Sequence, residues 1–184
     1  MLKNIIQPKL PVRCFIAAEV SADAREKISE IMCTAGQGGL KVVGKELLHI
    51  TIKFLGDLDE KEVDNCWNAV DRCAGAKIPV TLSGGGAFPN PSKARVIFVN
   101  AVSPELAQLA KCIYAGTLAY GDDKGFLGHL TVARAKGRPV DATGLIEKLG
   151  AIQCEEIIEK ITLKKSTLTS MGPNYEDIYV KNLE

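Results

Sequence analysis

Two tetrads of one form, His49-Ile50-Thr51-Ile52 and His129-Leu130-Thr131-Val132, hold the only two histidines of this 184-residue chain. Each is polar at its first and third positions and apolar at its second and fourth. That is the period of a strand with one face on a core. A chain built on two such strands has to back each with apolar packing and leave a His–Thr pair on the opposite face. A tandem or pseudo-symmetric arrangement of two similar halves is the economical way to do so.

Residues 47–55, LLHITIKFL, read as the first of these strands, closed by Gly56. Alternation sends Leu48, Ile50, Ile52 and Phe54 to the core, and Leu47, His49, Thr51 and Lys53 to the other face. In residues 128–134, GHLTVAR, Leu130 and Val132 face the core while His129, Thr131 and Ala133 face away. Strict alternation puts Arg134 opposite His129. It reaches the histidine face only if the strand bulges or the side chain comes round from the strand end.

The remaining chain supplies a scaffold. Residues 12–20 read as a strand, and Ser21 caps a helix over 22–35 with Ala24, Ile28, Ile31 and Ala35 on one face, stopped by Gln37-Gly38-Gly39. Asp59 with Glu62 makes a capping-box start to a helix running to about Ala74, striped by Val63, Cys66, Trp67, Val70 and Cys73. A strand over 77–83 leads into Gly84-Gly85-Gly86. That run lacks the Gly-Lys-Ser/Thr ending of a phosphate loop and reads as a bulge or turn. Lys93 and Arg95 flank a strand over 94–101. Ser103-Pro104 opens a helix with Leu106, Leu109, Ala110 and Ile113 buried. A short helix spans 141–149, and strands near 152–169 and 177–183 are joined by the turn signal Met171-Gly172-Pro173-Asn174. Hairpin-compatible strands mixed with helices favour an α+β fold with antiparallel sheets over a doubly wound parallel one.

The totals permit one domain, 1–184, with two lobes. With 46% apolar residues, 24% charged residues and a net charge of +1, no bulk property demands nucleic acid or membrane. No apolar run is long enough to span a bilayer, and residues 1–6 lack the apolar region of a secretory signal, so a cytoplasmic protein is expected. None of the six cysteines forms a CxxC pair. They read as small buried hydrophobes rather than as a zinc or redox site.

A His and a Thr two positions apart lie about 7 Å from one another along a strand face. Two such strands facing each other offer two imidazoles and two hydroxyls to one space. Imidazole titrates near neutrality, so one ring can act as base while the other acts as acid. The hydroxyls can donate to phosphate oxygens as charge develops there. Attack of water on a phosphodiester with in-line loss of a ribose oxygen needs these groups. Two histidines without a nearby carboxylate cluster make a poor metal site, so neither metal nor cofactor is expected.

HITIKFLGD (49–57) and HLTVAR (129–134) resemble the paired HxTx motifs of the 2H phosphoesterase superfamily, and most nearly its LigT-like RNA 2′,3′-cyclic phosphodiesterases, also called 2′-5′ RNA ligases. CFIAAEV, AFPNPSKARVIFV (87–99) and STLTSMGPNYEDI (166–178) extend the resemblance from about residue 12 to 183. It implies a bilobal, pseudo-two-fold α+β duplication, with two antiparallel sheets and outer helices around a central cleft. It implies hydrolysis of an RNA 2′,3′-cyclic phosphate to a 2′-phosphomonoester, and 2′-5′ ligation in reverse. His49 is then the proton donor and His129 the proton acceptor, with Thr51 and Thr131 holding the phosphate. Arg134 matches a family position for substrate binding. Lys53 is a second candidate for neutralising phosphate charge, from its place on the His49 face. The implied partners are RNA ends with a 2′,3′-cyclic phosphate, tRNA fragments among them, met by a monomer away from membranes. The chain departs from the family pattern at Gly128, where Pro is frequent, and at Phe98, where Trp is frequent.

Two other readings use the same residues. A non-catalytic RNA-end binder would bind without turnover. A phosphodiesterase for small cyclic nucleotides or 2′-5′ oligonucleotides would differ in cleft size.

Overall fold

The computed structural model describes residues 11–34, 38–170 and 172–184. Ala35 and Gln37 at the expected end of the first helix, Met171 in the expected turn and the N-terminal segment 1–10 lie outside the described residues. The strands are β1 (Val12–Ala18), β2 (Leu40–Val42), β3 (Ile50–Leu58), β4 (Ile78–Phe88), β5 (Val96–Val102), β6 (His129–Ala135), β7 (Gln153–Ile158), β8 (Lys160–Thr169) and β9 (Gly172–Asn182). The helices are α1 (Ala22–Thr34), α2 (Glu60–Cys73), α3 (Pro104–Gly116) and α4 (Thr143–Leu149), with single 3₁₀ turns at Lys45–Leu47 and Pro91–Lys93. None of the helices of the described residues is long and apolar enough to cross a membrane.

The strands form one curled antiparallel sheet in the order β7-β4-β5-β6-β3-β1-β8-β9, with β2 added on β6. The two sheets expected from the sequence are therefore two four-stranded halves of a single sheet. They are joined where Ile50 of β3 pairs with Leu130 of β6. A strand–helix–strand unit occurs on each side, β1-α1-β3 and β5-α3-β6, and in both units the two strands are antiparallel neighbours. Each unit ends on a motif strand, which is the duplication anticipated from the tetrads.

Packing explains why the motif strands keep their register. Ile50, Ile52, Leu130 and Val132 are almost fully buried in a core shared with α1, α2 and α3. Burying such a side chain stabilises the fold by about 1.5–3 kcal/mol, and a slip of one residue would expose the whole set. α2 starts with the anticipated capping box, in which Asp59 accepts from the Glu62 amide and Glu62 accepts from the Asp59 amide. Ser103 caps α3 through the Leu106 amide, with Pro104 in the first turn.

The structure corrects the sequence reading at several points. Gly56 does not end β3; it lies within the strand at φ +80. Gly84, at φ +63, marks the anticipated bulge, where the β4–β5 register shifts between Ser83 and Gly85. The cysteines are not all small buried hydrophobes. Cys14 and Cys66 are buried, but Cys33 is exposed, and Cys73 and Cys112 form a disulfide joining α2 to α3. The stripe that placed Cys73 on the buried face of α2 carried no information about which helix would lie beside it.

Both motif strands bulge at the same place. In β3, Ile16 of β1 pairs with Lys53 and Ala17 with Thr51, so Ile52 is an extra residue. In β6, Ile97 of β5 pairs with Ala133 and Phe98 with Thr131, so Val132 is extra. A bulge reverses the alternation beyond it. Hence Lys53 and Ala133 are buried on the core side, while Phe54 and Arg134 are exposed. Phe54, expected in the core, is 61% exposed.

Candidate active site

The antiparallel sense of the Ile50–Leu130 pair sets the site. One step along the ladder brings His49 across from Thr131, and the opposite step brings Thr51 across from His129. The two His–Thr pairs thus flank one point of the sheet, and each histidine lies across the ladder from the threonine of the other motif. All four side chains are half-buried. Among the described residues, no protein group bonds the hydroxyl of Thr51 or Thr131, or Nε2 of either histidine.

Both rings are held the same way. Nδ1–H of His49 donates to the carbonyl of Leu47 at 2.7 Å, and Nδ1–H of His129 donates to that of Leu127 at 2.8 Å. A carbonyl only accepts, so Nδ1 carries the proton of the neutral ring and Nε2 is left for a reacting group. Aromatic rings fix the remaining orientation. Phe15 and Tyr175 lie 5.1 and 5.4 Å from the His49 ring. Phe98 and Phe88 lie 5.1 and 5.4 Å from the His129 ring. Gly86 makes room for this second group, since a Cβ there would stand 2.5 Å from the Phe98 ring.

The two sides differ in charge. A cavity of about 350 Å³ opens beside His49, with Glu19, Glu46, Lys164, Asn174, Tyr175 and Asp177 among its walls. Burial tends to raise the Glu19 carboxyl, but hydrogen bonds and charge from Lys164, with further help from Thr162 and Arg25, hold it below the usual range. Burial lowers His49 to about 4, against the Leu47 hydrogen bond and the Glu19 charge, both of which act to raise it. A second cavity, about 230 Å³, lies between α1 and the β4–β7 edge, walled by Ala24, Ile28, Leu82 and Ile152, and it contains neither histidine. Among the described residues no three His, Cys, Asp or Glu side chains are grouped to hold a metal ion.

Of the residues singled out in the sequence, His49, His129, Thr51 and Thr131 come together. Arg134 joins their face because of the Val132 bulge, which settles the alternative left open by alternation. Lys53 does not join them. The Ile52 bulge turns it inward, where it is 2% exposed, donates to the carbonyl and hydroxyl of Thr117 at 2.8 and 3.2 Å, and lies over the Tyr114 ring. Burial lowers its pKa there. The aromatic neighbours Phe15, Tyr175, Phe88 and Phe98 were not picked out as site residues. Their signal lay in the segments CFIAAEV, AFPNPSKARVIFV and STLTSMGPNYEDI, which contain them, and for Phe98 also in its place where the family often has Trp.

Residues 16–98 match the family model described as LigT like Phosphoesterase. The chain is 33% identical over 174 residues to the RNA 2′,3′-cyclic phosphodiesterase of Archaeoglobus fulgidus, covering 92% of this chain and 99% of that protein. It is 34% identical over 172 residues to the RNA 2′,3′-cyclic phosphodiesterase of Methanocaldococcus jannaschii, covering 91% and 98%. Among solved structures it resembles TT0787 of Thermus thermophilus with a TM-score of 0.78 at 28% identity, over 92% of this chain and 97% of that one.

Proposed function

Because the chain belongs to the LigT-like phosphoesterase family, we propose that it hydrolyses the 2′,3′-cyclic phosphate at RNA ends to a 2′-phosphomonoester. The observation that carries the mechanism is the Ile50–Leu130 pair, which sets one His–Thr couple on each side of a single point. A phosphate seated there receives hydrogen bonds from Thr51 and Thr131, and Arg134 opposes its charge. Nε2 of His129 takes a proton from water as the water oxygen bonds to phosphorus. The P–O3′ bond breaks in line, and His49 gives its proton to O3′. When a 5′-hydroxyl takes the place of water in the same step, O3′ leaves as before and a 2′-5′ linkage forms. One chain supplies every group, so a monomer suffices. RNA fragments with this terminus, including those of tRNA, are the substrates of this reading.

His49 has to be protonated to serve as the acid, and burial opposes that. The negative charge of a bound phosphodiester acts in the opposite direction, raising the pKa of the ring beside it. One observation favours the exchanged roles: a ring lowered to about 4 is neutral at pH 7 and suited to a base. The product identifies the ribose oxygen that leaves. Incubating the protein with RNA ending in 2′,3′-cyclic phosphate, with and without EDTA, should give a 2′-phosphate in both cases. A 3′-phosphate would show that O2′ leaves and overturn the proposed proton transfer to O3′, and no turnover would leave only the end-binding reading.

A further inference from the structure

The two halves of the sheet neutralise their cations differently. Near His49 the lysines have carboxylate partners. Lys164 lies 2.8 Å from Glu19 and 2.5 Å from Asp177, and Lys165 lies 3.2 Å from Glu176. Beyond His129, Lys93, Arg95, Arg134, Lys136 and Arg138 are all exposed, and none forms an ion pair among the described residues. The segments that carry them, 78–104 and 124–140, contain no Asp or Glu. Asp141, the next residue, turns its carboxylate to the amide and hydroxyl of Thr143 at 2.9 and 2.7 Å.

Backbone pairing sets the two segments that carry these cations side by side, as a strip beside the start of β5 and the end of β6. Val96 pairs with Arg134, the Ala135 amide donates to the Arg95 carbonyl at 2.9 Å, and Ala94 bridges Val140. The Arg95 guanidinium donates to the Gly137 carbonyl at 3.2 Å, which ties the turn carrying Lys136 and Arg138 to the start of β5. The strip begins at Arg134, on the histidine face, and leads away past the end of β6. Cations without carboxylate partners favour a polyanion, which releases its own counterions as it binds.

We infer that this strip is a track for the phosphodiester backbone of a single RNA strand. The preferred substrate is then an oligonucleotide ending in a cyclic phosphate, not a cyclic mononucleotide. The inference rests on the proposed hydrolysis and specifies its substrate class.

The test compares a nucleoside 2′,3′-cyclic phosphate with a single-stranded oligoribonucleotide bearing the same terminal nucleoside, using wild type and the triple variant Lys93→Ala/Lys136→Ala/Arg138→Ala. Wild type should favour the oligonucleotide in kcat/KM, and that advantage should fall about tenfold as salt rises from about 50 to 200 mM, the effect of roughly three phosphate contacts. The variant should lose the advantage and its salt dependence while hydrolysing the mononucleotide as wild type does. An oligonucleotide advantage that survives in the variant, or is missing in wild type, overturns the track. Binding of the oligonucleotide by fluorescence anisotropy gives a readout independent of turnover. If neither substrate is hydrolysed, the catalytic reading fails, and the track stands or falls on whether the variant loses salt-sensitive binding. Stronger capture by phosphatidylserine vesicles than by the oligonucleotide also overturns it.

Discussion

Phe54 and Arg134 occupy the same place in their respective motif strands, five residues after the histidine and two after a bulged residue. One is a ring and the other a cation, so the two halves offer the same backbone and different chemistry. The guanidinium is expected to oppose phosphate charge, whereas Phe54 packs 5.9 Å from Phe15, itself a neighbour of His49. Arg134→Ala should therefore lower kcat/KM by about 10- to 100-fold, the worth of a charged hydrogen bond of about 1.5–3 kcal/mol. Arg134→Lys should recover part of it. Steady-state kinetics on cyclic-phosphate RNA measure this, and an unchanged Arg134→Ala would remove the residue from the site.

Lys53 provides the contrast. Its ammonium is bonded to Thr117 on the core side, so it lies away from the histidine face. Lys53→Ala should leave kcat/KM within about twofold and cost about 1–3 kcal/mol of stability, from lost packing and from the two hydrogen bonds to Thr117 that go with the ammonium. Thermal melts and kinetics on the same preparation separate the two effects. A kinetic loss as large as that of Arg134→Ala would return Lys53 to the site.

The depressed pKa of His49 has a consequence for stability. Folding takes the ring from 6.5 to about 4, so the unfolded chain binds the proton first as pH falls. The contribution of the neutral ring is complete above pH 6.5 and is lost as pH falls toward 4. Between pH 7 and pH 5 the wild-type Tm should drop further than that of His49→Gln, and a saturating phosphate ligand should shrink the difference. Parallel Tm curves would show that the ring titrates as it does in solution.

The Cys73–Cys112 bridge can be counted. Denatured, unreduced protein should react with four equivalents of a thiol reagent, from Cys14, Cys33, Cys66 and Cys154, and reduced protein with six. With 39 residues of separation, the cross-link should contribute about 3–4 kcal/mol by restricting the unfolded chain. Reduction, or Cys73→Ser with Cys112→Ser, should lower the Tm accordingly. Six reactive thiols before reduction would show that the bridge does not form in solution.

Alternation in the two tetrads was enough to point His49, Thr51, His129 and Thr131 away from the core, because residues 48–52 and 129–132 keep a strict period of two. It failed one residue later in both strands. A bulge is a property of two strands in register, and neither Ile52 nor Val132 differs locally from a regular strand residue. The same limit hid the rings around each imidazole. Phe15 is 34 residues from His49 in sequence and Tyr175 is 126, and only the sheet order makes them neighbours. Cys73 was likewise legible as a helix-face residue but not as the partner of Cys112, since the pairing of α2 with α3 follows from the tertiary fold.

Among the described residues, Ile50–Leu130 is the one paired position between β3 and β6. A long ladder would fix the opening between the halves through many hydrogen bonds. Here it is governed chiefly by two aliphatic side chains and what they pack on. The gap between His49 and His129, the proposed proton donor and acceptor, is therefore an adjustable dimension, set by side-chain volume at positions 50 and 130. A change of a methylene at either is expected to move the imidazoles relative to each other while altering neither, so these positions, with no polar atom in their side chains, are where the reach of the proposed pair can be tuned.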